Sequence, residues 1–180
     1  MFGKVIPLET ESELYGAAIQ ILTRRAHSVS EMKKTLIRRT ADQELIRNVV
    51  DRLKREGLLD DARYAQQFVR QRSEIRHHGR YRIAADLRAR GVPDQLIEAA
   101  LENARDENGE RAAIRQRIER KLTLWRGVPT TGAKIDERKM GRLYRSLVRA
   151  GFPAEAVRRE LKSLAIEKPW EIESPADEPS

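Results

Sequence analysis

The 180-residue chain contains no cysteine. A disulfide framework, a thiolate nucleophile and a zinc–thiolate site are therefore all excluded, and the usage suits a reducing compartment. Aromatic residues are scarce, at 5%. The ten glycines are scattered, so no glycine-rich loop cradles a phosphate. The longest uncharged run, Leu14 to Thr23, is too short to span a bilayer. The segment from Met1 to Glu9 lacks a signal-peptide apolar core. Alternation of strand type is nearly missing. These absences lead us to expect a soluble cytoplasmic protein that has no membrane partner.

Catalytic constellations are equally thin. His77 and His78 stand together beside Gly79, but further metal ligands at helical spacing are missing from the sequence around them. Asp60 and Asp61 read as helix-start residues, because neighbours there point different ways and the helix dipole favours them. Ser28 after His27 matches no nucleophile motif. We expect no enzyme, no catalytic residue, no metal, no cofactor and no small-molecule substrate.

What the chain has in abundance is charge. Charged residues reach 36% against 39% hydrophobic, and the formal net charge is +8. Residues 61–126 hold 15 Lys/Arg against 10 Asp/Glu, residues 127–166 hold 9 against 4, and residues 167–180 hold 1 against 5. A basic body with an acidic tail implies a polyanionic partner: nucleic acid, an anionic membrane or an acidic protein surface.

One pattern recurs three times. Leu36, Thr40, Ile46 and Val50 are matched by Leu87, Gly91, Ile97 and Leu101, and again by Leu147, Gly151, Val157 and Leu161. The copies lie 51 and then 60 residues apart. A fixed internal spacing of this kind marks one supersecondary unit used repeatedly. Apolar stripes at helical period fill the copies: Ile46, Val49, Val50 and Leu53; Ile97, Ala100, Leu101 and Ala104; Ile114, Ile118, Leu122 and Trp125; Met140, Leu143, Tyr144 and Leu147. Tyr64, Phe68 and Val69 read as core.

Thr10 with Glu13 and Ser28 with Glu31 have the spacing of capping boxes. Asp42 and Asp60 suit N-caps. Pro93 and Pro153 suit a first helical turn, and Gly57, Gly91 and Gly151 suit the left-handed residue that ends a helix. The predicted helices are about 12–26, 29–39 and 42–56; 61–77, 80–90 and 93–106; and 109–126, 137–150 and 153–165.

The fold class is therefore all-α: three tandem three-helix repeats in an elongated, curved helical array. The expected divisions are an irregular N-terminus over 1–10, repeats over 11–57, 58–107 and 108–166, and an acidic disordered tail over 167–180. Gly127 to Asp136 forms a longer loop whose composition predicts mobility.

Seven arginines lie between Arg70 and Arg90, namely Arg70, Arg72, Arg76, Arg80, Arg82, Arg88 and Arg90, opposed only by Glu74 and Asp86. Tyr81 sits among them and can stack on a base. Arg24, Arg25, Lys33, Lys34, Arg38 and Arg39 flank the first two helices, and Arg142, Arg145 and Arg149 line one side of a helix in the third repeat. Arginine suits bidentate contact with phosphate or carboxylate. The competing reading is of solvated helix faces paired at i,i+4.

Arg24-Arg25-Ala-His-Ser28 followed by Glu31-Met-Lys-Lys-Thr-Leu36 resembles the first-repeat signature of the RecX family, regulators of the RecA recombinase. Gly57-Leu-Leu-Asp-Asp61-Ala-Arg-Tyr64-Ala65 resembles that family's most recognisable motif. Arg72 through Gly79, with Ile83 to Leu87, Gly91 and Ile97, resembles its second repeat, and Leu143 to Phe152 its third.

The resemblance implies a non-enzymatic cytoplasmic protein of three times three helices. It would lie in the groove of the RecA–single-stranded DNA filament, restraining ATP hydrolysis and strand exchange and so tuning repair and the SOS response. Two other readings stay open: a nucleic-acid-binding protein that works without a recombinase, and a helical scaffold for an acidic protein.

Overall fold

The computed structural model describes residues 8–75, 77–104, 107–126 and 137–167. Among these residues the chain forms nine α-helices and no strand: α1 (Glu11–Arg24), α2 (Val29–Leu36), α3 (Gln43–Arg55), α4 (Asp61–Glu74), α5 (Arg80–Ala89), α6 (Asp94–Asn103), α7 (Glu107–Arg126), α8 (Glu137–Arg149) and α9 (Ala154–Glu167). The all-α expectation holds. The loop from 127 to 136, residues 1–7 of the N-terminus and the tail from 168 lie outside the described residues, while Glu167 closes α9.

The start signals act as their chemistry requires. Thr10 and Glu13 close one capping box, and Ser28 and Glu31 another. Asp42 accepts from the N–H groups of Glu44 and Leu45, and Asp60 from those of Ala62 and Arg63. Pro93 and Pro153 differ from expectation by one position. They stand just before α6 and α9 rather than inside the first turn, and their carbonyls accept the first ladder bonds, from Ile97 at 3.1 Å and Val157 at 3.0 Å.

Gly57, Gly91 and Gly151 have φ of 68°, 72° and 92°. Each lets the following residue's N–H turn back to a leucine carbonyl: Leu58 to Leu53, Val92 to Leu87 and Phe152 to Leu147. Thr40 holds the corresponding place in the first repeat without a left-handed backbone. Its N–H instead donates to the Leu36 carbonyl, and its hydroxyl accepts from Asp42.

The chain divides into two compact units, Met1–Val69 with Ala85–Asn103, and Arg70–Ala84 with Ala104–Ser180. The first is built on Leu14, Ala18, Met32, Leu36, Ile46, Val49, Val50, Leu53 and Leu59. The second is built on Ile114, Ile118, Leu143, Leu147, Ala150, Phe152, Val157 and Leu161. Tyr64, Phe68 and Val69 are buried, as the sequence predicts. The α7 stripe ends sooner than predicted. Leu122 packs on the core, but Trp125 is 39% exposed beside Leu124 at 74%, because this core does not extend past Leu122 along the helix.

The boundary between the units falls inside α4 and α5, and one joint used twice explains it. In the first unit the Ser28 hydroxyl, at the start of α2, donates to the Arg90 carbonyl at 2.6 Å. In the second unit the Gly79 N–H, at the start of α5, donates to the Ala150 carbonyl at 3.0 Å, and Tyr81 donates to Gly151 at 3.1 Å. Ser28 and Gly79 hold the same place in their repeats, as do Arg90 and Ala150. The middle repeat therefore lends the end of α5 to one unit and its beginning to the other.

The second joint tolerates no side chain. A Cβ on Gly79 would collide with the backbone of Gly151 and Phe152, and one on Gly151 with Arg82. We expect Gly79→Ala and Gly151→Ala each to destabilise the protein by about 1–3 kcal/mol, since rigid backbone must yield. Gly16, inside α1 with open space around it, should respond oppositely, Gly16→Ala stabilising by roughly 0.5–1 kcal/mol. Urea denaturation of the three variants measures both signs. Leu87→Ala, at a fully buried repeat position, should cost about 2–5 kcal/mol in the same assay.

Candidate functional site

The basic residues sort by what already holds them. In the first unit, Glu31 collects two of them. Its carboxylate accepts from the Arg25 guanidinium at 3.1 Å, from the Ser28 N–H at 3.3 Å and from the Tyr64 hydroxyl at 3.3 Å, and lies 3.9 Å from Arg90 Nε. Arg90 also donates to the Asp86 carbonyl at 2.7 Å, and its guanidinium lies over the Phe68 ring at 4.8 Å. Burial pushes the Glu31 carboxyl up. The Arg25 and Ser28 hydrogen bonds and the charges of Arg25 and Arg90 outweigh it, so the pKa falls below the ordinary glutamate value. Arg88 pairs with Asp94 at 2.6 Å. Arg24, Lys33, Lys34, Arg38 and Arg39 are exposed and make no ion pair with a described residue.

A groove of about 650 Å³ opens in the first unit, lined by both Lys33 and Lys54 and by Asp60 and Asp61. Its charges offset one another. Asp61 is engaged in the fold, accepting from the Val29 N–H at 2.9 Å. The two aspartates thus cap two different helices, Asp60 its own and Asp61 α2.

In the second unit, Arg70 pairs with Glu74 at 3.3 Å, and Arg72 is half-buried. Arg76 lies outside the described residues. Arg80, Tyr81 and Arg82 open α5, all exposed, Tyr81 at 63%. Arg142, Arg145 and Arg149 are exposed along α8, opposite the buried Leu143 and Leu147. None of Arg80, Arg82, Arg142, Arg145 and Arg149 forms an ion pair with a described residue.

The arginines of α7 were not among the site residues that the sequence suggested. There Arg111 and Arg115 both reach the buried Glu160 at 2.7 Å and are bound into the fold. Arg117 is half-buried and donates from Nη1 to the His77 carbonyl at 3.1 Å. Burial, then the charges of Arg120 and Arg82, press its pKa below the ordinary arginine value. A signal was present in the chain: neither Arg117 nor Arg120 has an acid three or four residues away, whereas Arg115 has Glu119.

Helical repeats with exposed arginines that make no ion pair with a described residue define a basic, all-α protein. The model of the first three-helix domain of RecX matches residues 15–53, and that of the second three-helix domain matches residues 60–101. Regulatory protein RecX of Halorhodospira halophila is 40% identical over 143 residues, 79% of this chain and 82% of that protein. That of Thermobifida fusca is 32% identical, across 92% and 88%. The crystal structure of RecX from Lactobacillus salivarius superposes with a TM-score of 0.72 at 20% identity, covering 87% of this chain and 97% of its own. The chain belongs to the RecX family, whose members are named as regulatory proteins and not as enzymes.

The lowered Glu31 pKa gives a signed prediction. Its stabilisation is fully present above the unfolded glutamate pKa of about 4.3 and is lost as pH falls through the lower folded value. Thermal melts of wild type and Glu31→Gln should therefore differ most above about pH 5 and converge towards stronger acid.

Proposed function

We propose that this protein binds the RecA–single-stranded DNA filament in the cytoplasm and modulates the recombinase, mainly by inhibition, so tuning DNA repair and the SOS response. The observation that carries this reading is the 40% identity to a regulatory protein RecX across most of both chains. The structure supports it with exposed arginines on α5 and α8 that make no ion pair with a described residue, a surface suited to a polyanion. Among the described residues no helix is long and apolar enough to cross a membrane.

The test is a titration of the protein into the DNA-stimulated ATPase of the cognate RecA. ATP hydrolysis should fall at protein levels well below one per recombinase subunit. Unchanged hydrolysis at saturating protein would overturn the reading. Reversing Arg142, Arg145 and Arg149 together to glutamate should weaken the inhibition while helical content, read by circular dichroism, stays the same.

A further inference from the structure

The second helices of the first and third repeats end on the same exposed triplet. In the spacing that aligns Leu36 with Leu147, Lys34, Ile37 and Arg38 correspond to Arg145, Val148 and Arg149. All six are exposed, Ile37 at 51% and Val148 at 38%. Leu36 and Leu147 are fully buried, so each triplet turns away from its core. The backbone of Ile37 is still helical, with φ of −55° and ψ of −27°, and its N–H donates to the Lys33 carbonyl at 3.0 Å. Both triplets therefore place a cation, an aliphatic side chain and a second cation at i, i+3 and i+4 on one helical face.

The middle repeat has a different surface at these positions. Ala85, Arg88 and Ala89 stand there, and Arg88 pairs with Asp94 at 2.6 Å. Lys34, Arg38, Arg145 and Arg149 make no ion pair with a described residue. The first triplet belongs to one compact unit and the second to the other. A single exposed aliphatic side chain needs no explanation, but the same one between the same cations in two repeats does. A phosphate backbone would use the cations alone, because a β-branched aliphatic offers it no charge, hydrogen bond or ring for stacking. A protein surface would use all three side chains: carboxylates meet the cations, and an apolar side chain covers the centre.

We propose that Lys34–Ile37–Arg38 and Arg145–Val148–Arg149 are two equivalent docking patches for one acidic, amphipathic protein segment that the partner displays more than once. The inference rests on the filament reading above and deepens it, since a filament of identical subunits repeats every surface it has. Each patch is small. Two patches engaging two copies of one segment multiply their affinities without any further contact.

The experiment titrates wild type, Ile37→Ser, Val148→Ser and the double variant into the DNA-stimulated ATPase of the cognate recombinase. Leu124→Ser, at a 74% exposed aliphatic outside both triplets, is the control. All three positions are exposed, and thermal melts verify that the fold is kept. Each single variant should lose inhibitory potency by about tenfold or more and to the same extent, and the double variant by about a hundredfold or more. Leu124→Ser should inhibit as wild type does. Anisotropy of a labelled oligothymidylate without recombinase should be the same for wild type and the double variant. Unequal single variants, an equal loss in Leu124→Ser, or a matching fall in affinity for the naked oligonucleotide would overturn the patches. Undiminished inhibition by the double variant removes the patches and leaves the filament reading standing, whereas a wild type without inhibition removes both.

Discussion

The structure depends on one backbone contact, the start of a repeat's second helix set against the carbonyl that ends the second helix of the next repeat. Helix ends leave N–H and C=O groups without partners inside the helix, and this joint satisfies both kinds at once. Gly79 and Tyr81 donate to Ala150 and Gly151, while the Ser28 hydroxyl donates to Arg90 and still accepts from Glu31 to cap its own helix. Where the donor is backbone, the approach is so close that neither Gly79 nor Gly151 can carry a side chain. Because α5 takes part in one joint with its beginning and in the other with its end, the compact units cut across the middle repeat.

The same geometry divides the arginines into two populations. Glu31 and Glu160 each gather two, Arg25 with Arg90 and Arg111 with Arg115, and these cations hold helices together. Such partly buried ion pairs add little net stability but are costly to break on one side. Exposed Arg80 and Arg82 of α5 and Arg142, Arg145 and Arg149 of α8 make no ion pair with a described residue and suit a polyanion. Formal charge counts both populations alike, so the +8 of the whole chain does not locate the surface that a partner meets.

Local chemistry was legible wherever it involved residues close in the chain. The Thr10–Glu13 and Ser28–Glu31 boxes, the Asp42 and Asp60 caps and the left-handed Gly57, Gly91 and Gly151 all depend on neighbours within a turn or two. Thr40 was a harder position. Its spacing matches the glycines of the other repeats, but a β-branched residue disfavours a left-handed backbone, and its turn closes without one. The family resemblance was legible for the same reason, since its motifs, such as Gly57 to Ala65, are contiguous.

The amino-acid order by itself determined the helices found among the described residues, most of their caps and buried stripes, and the threefold recurrence, because helix periodicity and capping act over a few residues. Only the tertiary structure decided which charges are spent inside the fold. Glu160 lies 45 residues from Arg115, and His77 lies 40 from Arg117. Such pairs meet only after the helices of the second unit pack, and no spacing rule in the sequence encodes a distance that packing alone creates.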